Sequence, residues 1–268
     1  MNDATELLAI AEEVAEAAAA IIRDRPADLH AQTKTTPTDA VTVVDKASER
    51  VIIDGLRRRR PNDRVVAEES GATANGDGSD VTWYVDPLDG TVNYLYALPP
   101  YSVSIAAAVG GDPVAGVVID VPRGETYTAT VGGGARCNGR LVTCTDQPDP
   151  ALALVATGFA YDVDIRTWQA DVIRAVLPQV RDIRRAGSAA VDLCSVASGR
   201  VDAFYEASMY PWDWMAGSLI AREAGAAFGG LGGNPPGREA TLAANPRLFA
   251  ALERILIDAG AGDRTFAS

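Results

Sequence analysis

The most informative stretch of the 268-residue chain is Trp83-Tyr84-Val85-Asp86-Pro87-Leu88-Asp89-Gly90-Thr91. An apolar run ends in two carboxylates, Asp86 and Asp89, three positions apart and separated by a proline and a leucine. Pro87 fixes the backbone as it leaves the extended run. Gly90 permits a conformation that other residues avoid. Two carboxylates forced together repel, so one takes a proton or a cation settles between them. Mg²⁺ prefers hard oxygens and bridges readily to phosphate. The amides of Gly90 and Thr91, at a helix start, then become donors to phosphate oxygens. An Asp-Gly turn with a capping Asp explains the same residues, so this segment alone leaves both readings open.

Other acids shift the balance. Glu68 and Glu69 follow the apolar run Val65-Val66-Ala67, again where a strand ends. Asp213 follows Pro211-Trp212 at an apparent helix start, and Asp39 and Asp45 flank Val41-Thr42-Val43-Val44 after Lys34. Each acid by itself is a helix cap or a surface charge. Several acids at strand ends and helix starts are better explained by one shared cation site. Two-metal hydrolases need bridging carboxylates, with ions ~3.5–4 Å apart.

Composition points the same way. Hydrophobic residues make up 47% of the chain, enough for a substantial core, and the formal net charge is -12. An acidic surface repels nucleic acid and anionic lipid, so neither is the expected partner. It repels a phosphate ester too, unless bound cations reverse the field locally. Cys137, Cys144 and Cys194 are odd in number and form no C-x-x-C, as expected of a reduced, cytoplasmic protein. His30 is the only histidine, so histidine-based triads, phosphohistidine chemistry and H-E-x-x-H zinc sites have almost nothing to work with. The first twenty residues carry acids and no basic segment, unlike a secretory leader. The uncharged stretch Gly90–Gly111 is broken by prolines and glycines and is no membrane span.

Hydrophobic periodicity predicts helices over 4–23, 46–60, 167–181, 188–199 and 213–225. Strands are expected at 64–68, 81–86, 152–157, 182–184 and 201–205, with an antiparallel meander over 102–109, 113–121 and 125–131. Gly71–Asp80 is expected to be a polar loop, and Arg57–Arg60 a solvated helix end. Strands and helices alternate throughout, so the class is α/β or α+β. The chain is expected to form a single catalytic unit with an α+β half over about 1–150 and an α/β half over about 151–268.

The ordered motifs resemble the inositol monophosphatase family of magnesium-dependent, lithium-sensitive phosphatases. The resemblance runs from Lys34-Thr-Thr-Pro-Thr-Asp39 and Thr42-Val-Val-Asp45 through Ala67-Glu68-Glu69-Ser70 and Asp86-Pro-Leu-Asp89-Gly-Thr91. It continues at Arg184-Arg-Ala-Gly187-Ser188-Ala189 and Glu206, and ends at Trp212-Asp213 with Glu223-Ala-Gly225. Within the family, the chain resembles the actinobacterial SuhB-like branch. The resemblance implies a layered αβαβα sandwich, usually a homodimer. It implies that Glu68, Asp86 and the Leu88 carbonyl hold one Mg²⁺, and that Asp86, Asp89 and Asp213 hold a second. A third, weaker ion would be held through water by Glu68. Gly90 and Thr91 would bind phosphate, and Asp45 would act through Thr91 to help polarise the attacking water. Asp89, Gly187, Ser188, Ala189 and Glu206 would face the substrate. Met215, Tyr96, Pro100 and the Gly229–Gly237 segment depart from the family pattern, and none of these departures removes a ligand.

Other motifs have plainer explanations. Cys194-Ser-Val-Ala-Ser-Gly-Arg200 fits C-x5-R, but it sits in a helical run where Cys194 is a buried small residue. Asp162-Val-Asp164 is expected to be a surface turn, His30 to be exposed, and Trp212 and Trp214 to be packing residues. The expected reaction is Mg²⁺-dependent hydrolysis of inositol 1-phosphate by in-line attack of a metal-activated water, without a phosphoenzyme. The polyol assignment rests on Glu206, whose carboxylate can accept from ring hydroxyls. Histidinol phosphate, fructose 1,6-bisphosphate and a nucleotide 3′-phosphate are the alternative substrates. A regulatory binding protein on the same fold is the non-enzymatic alternative.

Overall fold

The computed structural model describes residues 3–29, 31–34, 36, 39–73 and 79–264. His30 and parts of the Lys34–Asp39 and Gly71–Asp80 segments lie outside them.

Helix α1 (Ala4–Arg23) starts at Asp3, whose side chain accepts from Thr5 N. Its Leu7, Ile10, Val14, Ala18 and Ile22 stripe is buried, as an amphipathic helix requires. The short strands β1 (Gln32–Thr33) and β2 (Ala40–Val41) pair antiparallel. Helix α2 (Val43–Arg59) begins three residues earlier than expected, because Thr42 and Asp45 form a reciprocal capping box. Its basic end is on the surface, with Arg59 paired to Glu13 and Arg60 to Asp63.

Next come β3 (Arg64–Ala67), β4 (Gly71–Thr73) and β5 (Val81–Asp89), then the short α3 (Thr91–Leu95). Strands β6 (Ser102–Val109), β7 (Asp112–Asp120), β8 (Glu125–Thr130), β9 (Gly134–Cys137) and β10 (Arg140–Leu141) complete an eight-stranded sheet. Its order is β10-β9-β8-β7-β6-β5-β3-β4, with the expected meander at its centre. Gly71–Thr73 was expected to be loop; these residues pair along the edge of β3 instead.

The second half holds β11 (Leu154–Thr157), α4 (Val163–Val176), β12 (Asp182–Arg184), α5 (Ala189–Ala197) and β13 (Ala203–Glu206). It continues with α6 (Pro211–Glu223), β14 (Ala227–Gly229), β15 (Thr241–Ala244) and α7 (Pro246–Asp258). The five strands are ordered β12-β11-β13-β15-β14. Helix α4 starts four residues before the expected position because Asp162 caps Asp164 N and Ile165 N. The expected surface turn at Asp162 is therefore a helix start.

Four apolar clusters define the layers. Helices α1 and α2 cover one face of the large sheet, around Trp83, Val85 and Ile105. Helices α5 and α6 fill the space between the sheets, where Ala190, Met215 and Leu219 meet Ala106 and Val118, and Leu193 and Ala221 meet Phe204. Helices α4 and α7 close the far side through Val172, Leu248 and Leu252. The result is an αβαβα sandwich. Gly116 lets α6 lie directly on β7, since a Cβ there would come within 3.2 Å of Ala216 Cα. Met215 points into this interlayer core at 7% exposure, so its size is absorbed away from the cavity described next.

Candidate active site

Strand β5 delivers two acids at its end. Pro87 has no N–H for the ladder, and the register against β6 slips between Asp86 and Asp89. Asp86 Oδ1 accepts from Leu88 N at 3.0 Å. Gly90 then turns the chain with φ 92°. A Cβ at that position would lie 3.0 Å from Pro100 O and 3.1 Å from Gly187 O, so both conformation and space require glycine. Thr91 opens α3, and its hydroxyl lies 2.8 Å from Asp45 Oδ1 and 3.0 Å from Leu88 O.

Helix α2 braces this turn from behind. Asp45 Oδ2 accepts from Thr42 N at 2.8 Å and Thr42 Oγ1 at 2.5 Å, and Ser48 Oγ donates to Pro87 O at 2.8 Å. Glu68 leaves β3 with its N–H on Val85 O at 3.1 Å. Lys34 Nζ lies 2.9 Å from Glu68 Oε1 and also pairs with Glu69. From the second half, Ser188 Oγ donates to Asp89 Oδ2 at 2.6 Å, and Ala190 N donates to the same oxygen at 2.9 Å. Asp213, in the first turn of α6, accepts from Tyr210 N at 2.7 Å.

These groups share one cavity of about 690 Å³. Glu68, Asp86, Leu88, Asp89 and Asp213 line it, and so do Gly90 and Thr91. Gly187, Ser188, Ala189 and Glu206 line it from the second half. Asp45 is fully buried behind the wall and reaches the cavity through Thr91. Among the described residues, no three acidic side chains are gathered into a ready ion-binding group. Lys34 and the helix caps engage several of the carboxylates instead.

Electrostatics show the tension in this arrangement. Burial raises Asp86 well above the usual carboxylate range, and Glu68, Asp89 and Asp213 add repulsion. Burial and Glu68 do the same to Asp213. Burial lifts Asp89 to about 6 against the donors Ser188 and Ala190. It lifts Glu69 to about 7, and Glu206 to about 8 with repulsion from Asp192. A cation relieves a cluster of this kind.

Residues 3–261 match the profile of the Inositol monophosphatase family. The chain belongs to that family. It is 46% identical over 243 residues to the inositol-1-monophosphatase of Mycobacterium bovis, covering 84% of each chain. It is 44% identical over 188 residues to the Nus factor SuhB of Escherichia coli, covering 70% of each. The solved structure of Mycobacterium tuberculosis SuhB superposes with a TM-score of 0.83 at 40% identity, covering 98% of this chain and 100% of that one. As an inositol monophosphatase family member the chain is a phosphoric monoester hydrolase, and the family is generally metal-dependent.

In this family member, sequence reasoning missed several cavity residues. Asp192 is 3% exposed and lines the cavity. A charge inside the apolar run Ala189-Ala190-Val191-Asp192-Leu193 was the available signal. Trp212, expected to be a packing residue, also lines the cavity and stacks on Tyr210 with centroids 4.9 Å apart. Trp214 does pack, against Phe228. Cys194 is fully buried in α5, far from the surroundings of a reactive thiolate.

The raised carboxyls give a pH prediction. Asp89, Glu69 and Glu206 hold protons in the fold up to about 6, 7 and 8, against unfolded values of 3.8, 4.5 and 4.5. The native state therefore binds more protons over that window, and these groups lower stability as pH rises through it. Without divalent cations, Tm is expected to be several degrees higher near pH 5 than near pH 8. Added Mg²⁺ is expected to raise Tm more near pH 8 than near pH 5. Thermal melts at both pH values check this, and a Mg²⁺ effect that grows on acidification would contradict it.

Proposed function

We propose that this enzyme is a Mg²⁺-dependent inositol monophosphatase that hydrolyses inositol 1-phosphate to inositol and phosphate. The observation that carries the reading is the convergence of Glu68, Asp86, Asp89 and Asp213 on one cavity that Glu206 also lines. The donor set suits a hard cation, being all oxygen, and each carboxylate is raised chiefly by burial with repulsion from neighbouring acids. Asp86, Asp89 and Asp213 each keep one oxygen outside the hydrogen bonds described above. Glu68, Asp86 and the Leu88 carbonyl would hold one ion, and Asp86, Asp89 and Asp213 a second, with a third held more weakly near Glu68. When bound, the cations would supply charge neutralisation on the phosphoryl oxygens and a lowered pKa for water.

The protein's own groups do the positioning. Gly90 and Thr91 offer amides to the phosphate. Thr91 has one hydroxyl hydrogen, shared between Asp45 Oδ1 and Leu88 O. Its lone pairs are left to orient the attacking water, while Asp45 holds the hydroxyl in that direction. Phosphoryl transfer needs this alignment more than covalent help. On the leaving-group side, Glu206 accepts from polyol hydroxyls, with Gly187, Ser188 and Ala189 forming the adjacent wall. The retained acid set disfavours a purely regulatory role.

A phosphate-release screen tests the substrate. Inositol 1-phosphate is expected to exceed histidinol phosphate, fructose 1,6-bisphosphate and a nucleotide 3′-phosphate in kcat/KM. Glu206→Gln is expected to cut kcat/KM on inositol 1-phosphate about ten-fold or more, through weakened charge-assisted hydrogen bonds of about 1.5–3 kcal/mol. The same change should leave an aryl phosphate nearly untouched. Equal losses on both substrates would remove Glu206 from recognition of the leaving alcohol.

A further inference from the structure

Glu206 is held in a way that its own element does not explain. It is the last residue of β13, and its carboxylate takes no hydrogen bond or ion pair from the described residues. Arg185, in the same cavity, attracts it electrostatically, and no hydrogen bond among the described residues fixes where it lies. Strands β11 and β13 run parallel, with Thr157 opposite Tyr205, so Gly158 is the next rung beside Glu206. A Cβ built on Gly158 would fall 2.2 Å from Glu206 Oε2, 2.3 Å from Cδ and 2.3 Å from Oε1. The carboxylate rests in the space that any side chain at 158 would fill.

The backbone does not call for glycine there. Gly158 is absent from the positions with left-handed φ, unlike Gly90 and Gly187. The atoms nearest to a methyl group at 158 all belong to the flexible end of Glu206. Behind that carboxylate is a second, smaller chamber of about 20 Å³, bordered by Gly158, Glu206, Trp168, Val172 and Tyr205. That volume suits one water molecule. Tyr205 Oη, buried and without a hydrogen-bond partner among the described residues, also borders it. Glu206 thus stands between a reactive cavity in front and a chamber behind, and Gly158 borders both.

We propose that Gly158 is a specificity-determining positioning residue, whose missing side chain keeps the Glu206 carboxylate forward against the leaving alcohol. This rests on the reading of Glu206 given above. A methyl group at 158 displaces the carboxylate from its berth. The catalytic acids and the phosphate turn are expected to be untouched, because the three atoms nearest to a methyl group at 158 all belong to Glu206. The consequence is selective: the polyol loses its acceptor, and a substrate without hydroxyls loses nothing.

The test uses Gly158→Ala, Glu206→Gln, the two combined, and Gly158→Ala combined with Glu206→Asp. Each is assayed with Mg²⁺ on inositol 1-phosphate and on p-nitrophenyl phosphate. Gly158→Ala is expected to lower kcat/KM on inositol 1-phosphate about ten-fold and to leave the aryl phosphate within about two-fold. In the Glu206→Gln background, Gly158→Ala is expected to add nothing further, because both changes remove the same contact. In the Gly158→Ala background, the shorter side chain of Glu206→Asp is expected to restore part of the selectivity. If Glu206→Gln shifts the ratio of the two substrates and Gly158→Ala does not, the positioning role is overturned while the Glu206 reading stands. Losses that multiply in the double variant overturn it likewise. If Glu206→Gln leaves the ratio unmoved, both fall.

Discussion

Asp86→Asn and Asp213→Asn are each expected to lower turnover roughly a thousand-fold or more, the scale of losing a central charge stabiliser, while the fold is retained. The amide oxygen of Asn can still accept from Leu88 N at position 86 and from Tyr210 N at position 213, so the local turns survive. What disappears is negative charge. After burial, Asp86 is raised by repulsion from Glu68, Asp89 and Asp213, and loss of one charge relaxes the rest. The metal-free variants are therefore expected to melt at or above the parent's temperature, and the Mg²⁺-induced rise in Tm is expected to shrink. Loss of activity together with a lower metal-free Tm would mean that these acids serve the fold instead. Turnover within ten-fold of the parent would exclude them as ligands.

Asp45→Asn is expected to be the most damaging change behind the cavity wall. The carboxylate accepts from Thr91 Oγ1, Thr42 N and Thr42 Oγ1 at 2.8, 2.8 and 2.5 Å, at a fully buried position. An amide has one oxygen and turns an NH₂ toward a donor, leaving buried groups unpaired. The expected cost is about 1–3 kcal/mol of stability. Thr91 also loses the acceptor that sets its hydroxyl, and second-layer losses of this kind typically lower activity roughly 10–100-fold. Thr91→Ser, which keeps the hydroxyl, is expected to change kcat little. Steady-state kinetics and melts on both variants check the pair of outcomes, and an Asp45→Asn enzyme with parental kcat would break the proposed link from Asp45 through Thr91.

Much of this was legible in the chain because the local signals are strong and agree. Helix α1 announces itself by the apolar spacing of Leu7, Ala11, Val14, Ala18 and Ile21, although Ile22 rather than Ile21 is the buried one, and the large sheet by its Gly110-Gly111 and Pro122-Arg123-Gly124 turns. The box from Asp86 to Thr91 is legible because proline, glycine and two acids each constrain the same turn. The C-terminal elements were not anticipated. Thr241-Leu242-Ala243-Ala244 is too short and alanine-rich to signal a strand, and it exists because β13 and β14 flank it. Helix α7 carried an unread signal: Asn245 as cap, Pro246 at the first position and Leu248, Leu252 and Leu256 at helical spacing. In the site, the acids were found because each ends an apolar run. Gly158 was invisible because its role depends on the register between β11 and β13, which no local pattern encodes. The same holds on the N-terminal side of the site, where the pairing of Lys34 with Glu68 and Glu69 is a tertiary contact that no local pattern encodes.

The most direct measurement is phosphate release from inositol 1-phosphate by the full chain, first after removal of divalent cations with EDTA and then during titration with Mg²⁺. The proposed function predicts no turnover above background in the chelated protein and full recovery on adding Mg²⁺, with the Asp86→Asn protein unrecovered at any Mg²⁺ concentration. Undiminished phosphate release in EDTA would contradict it.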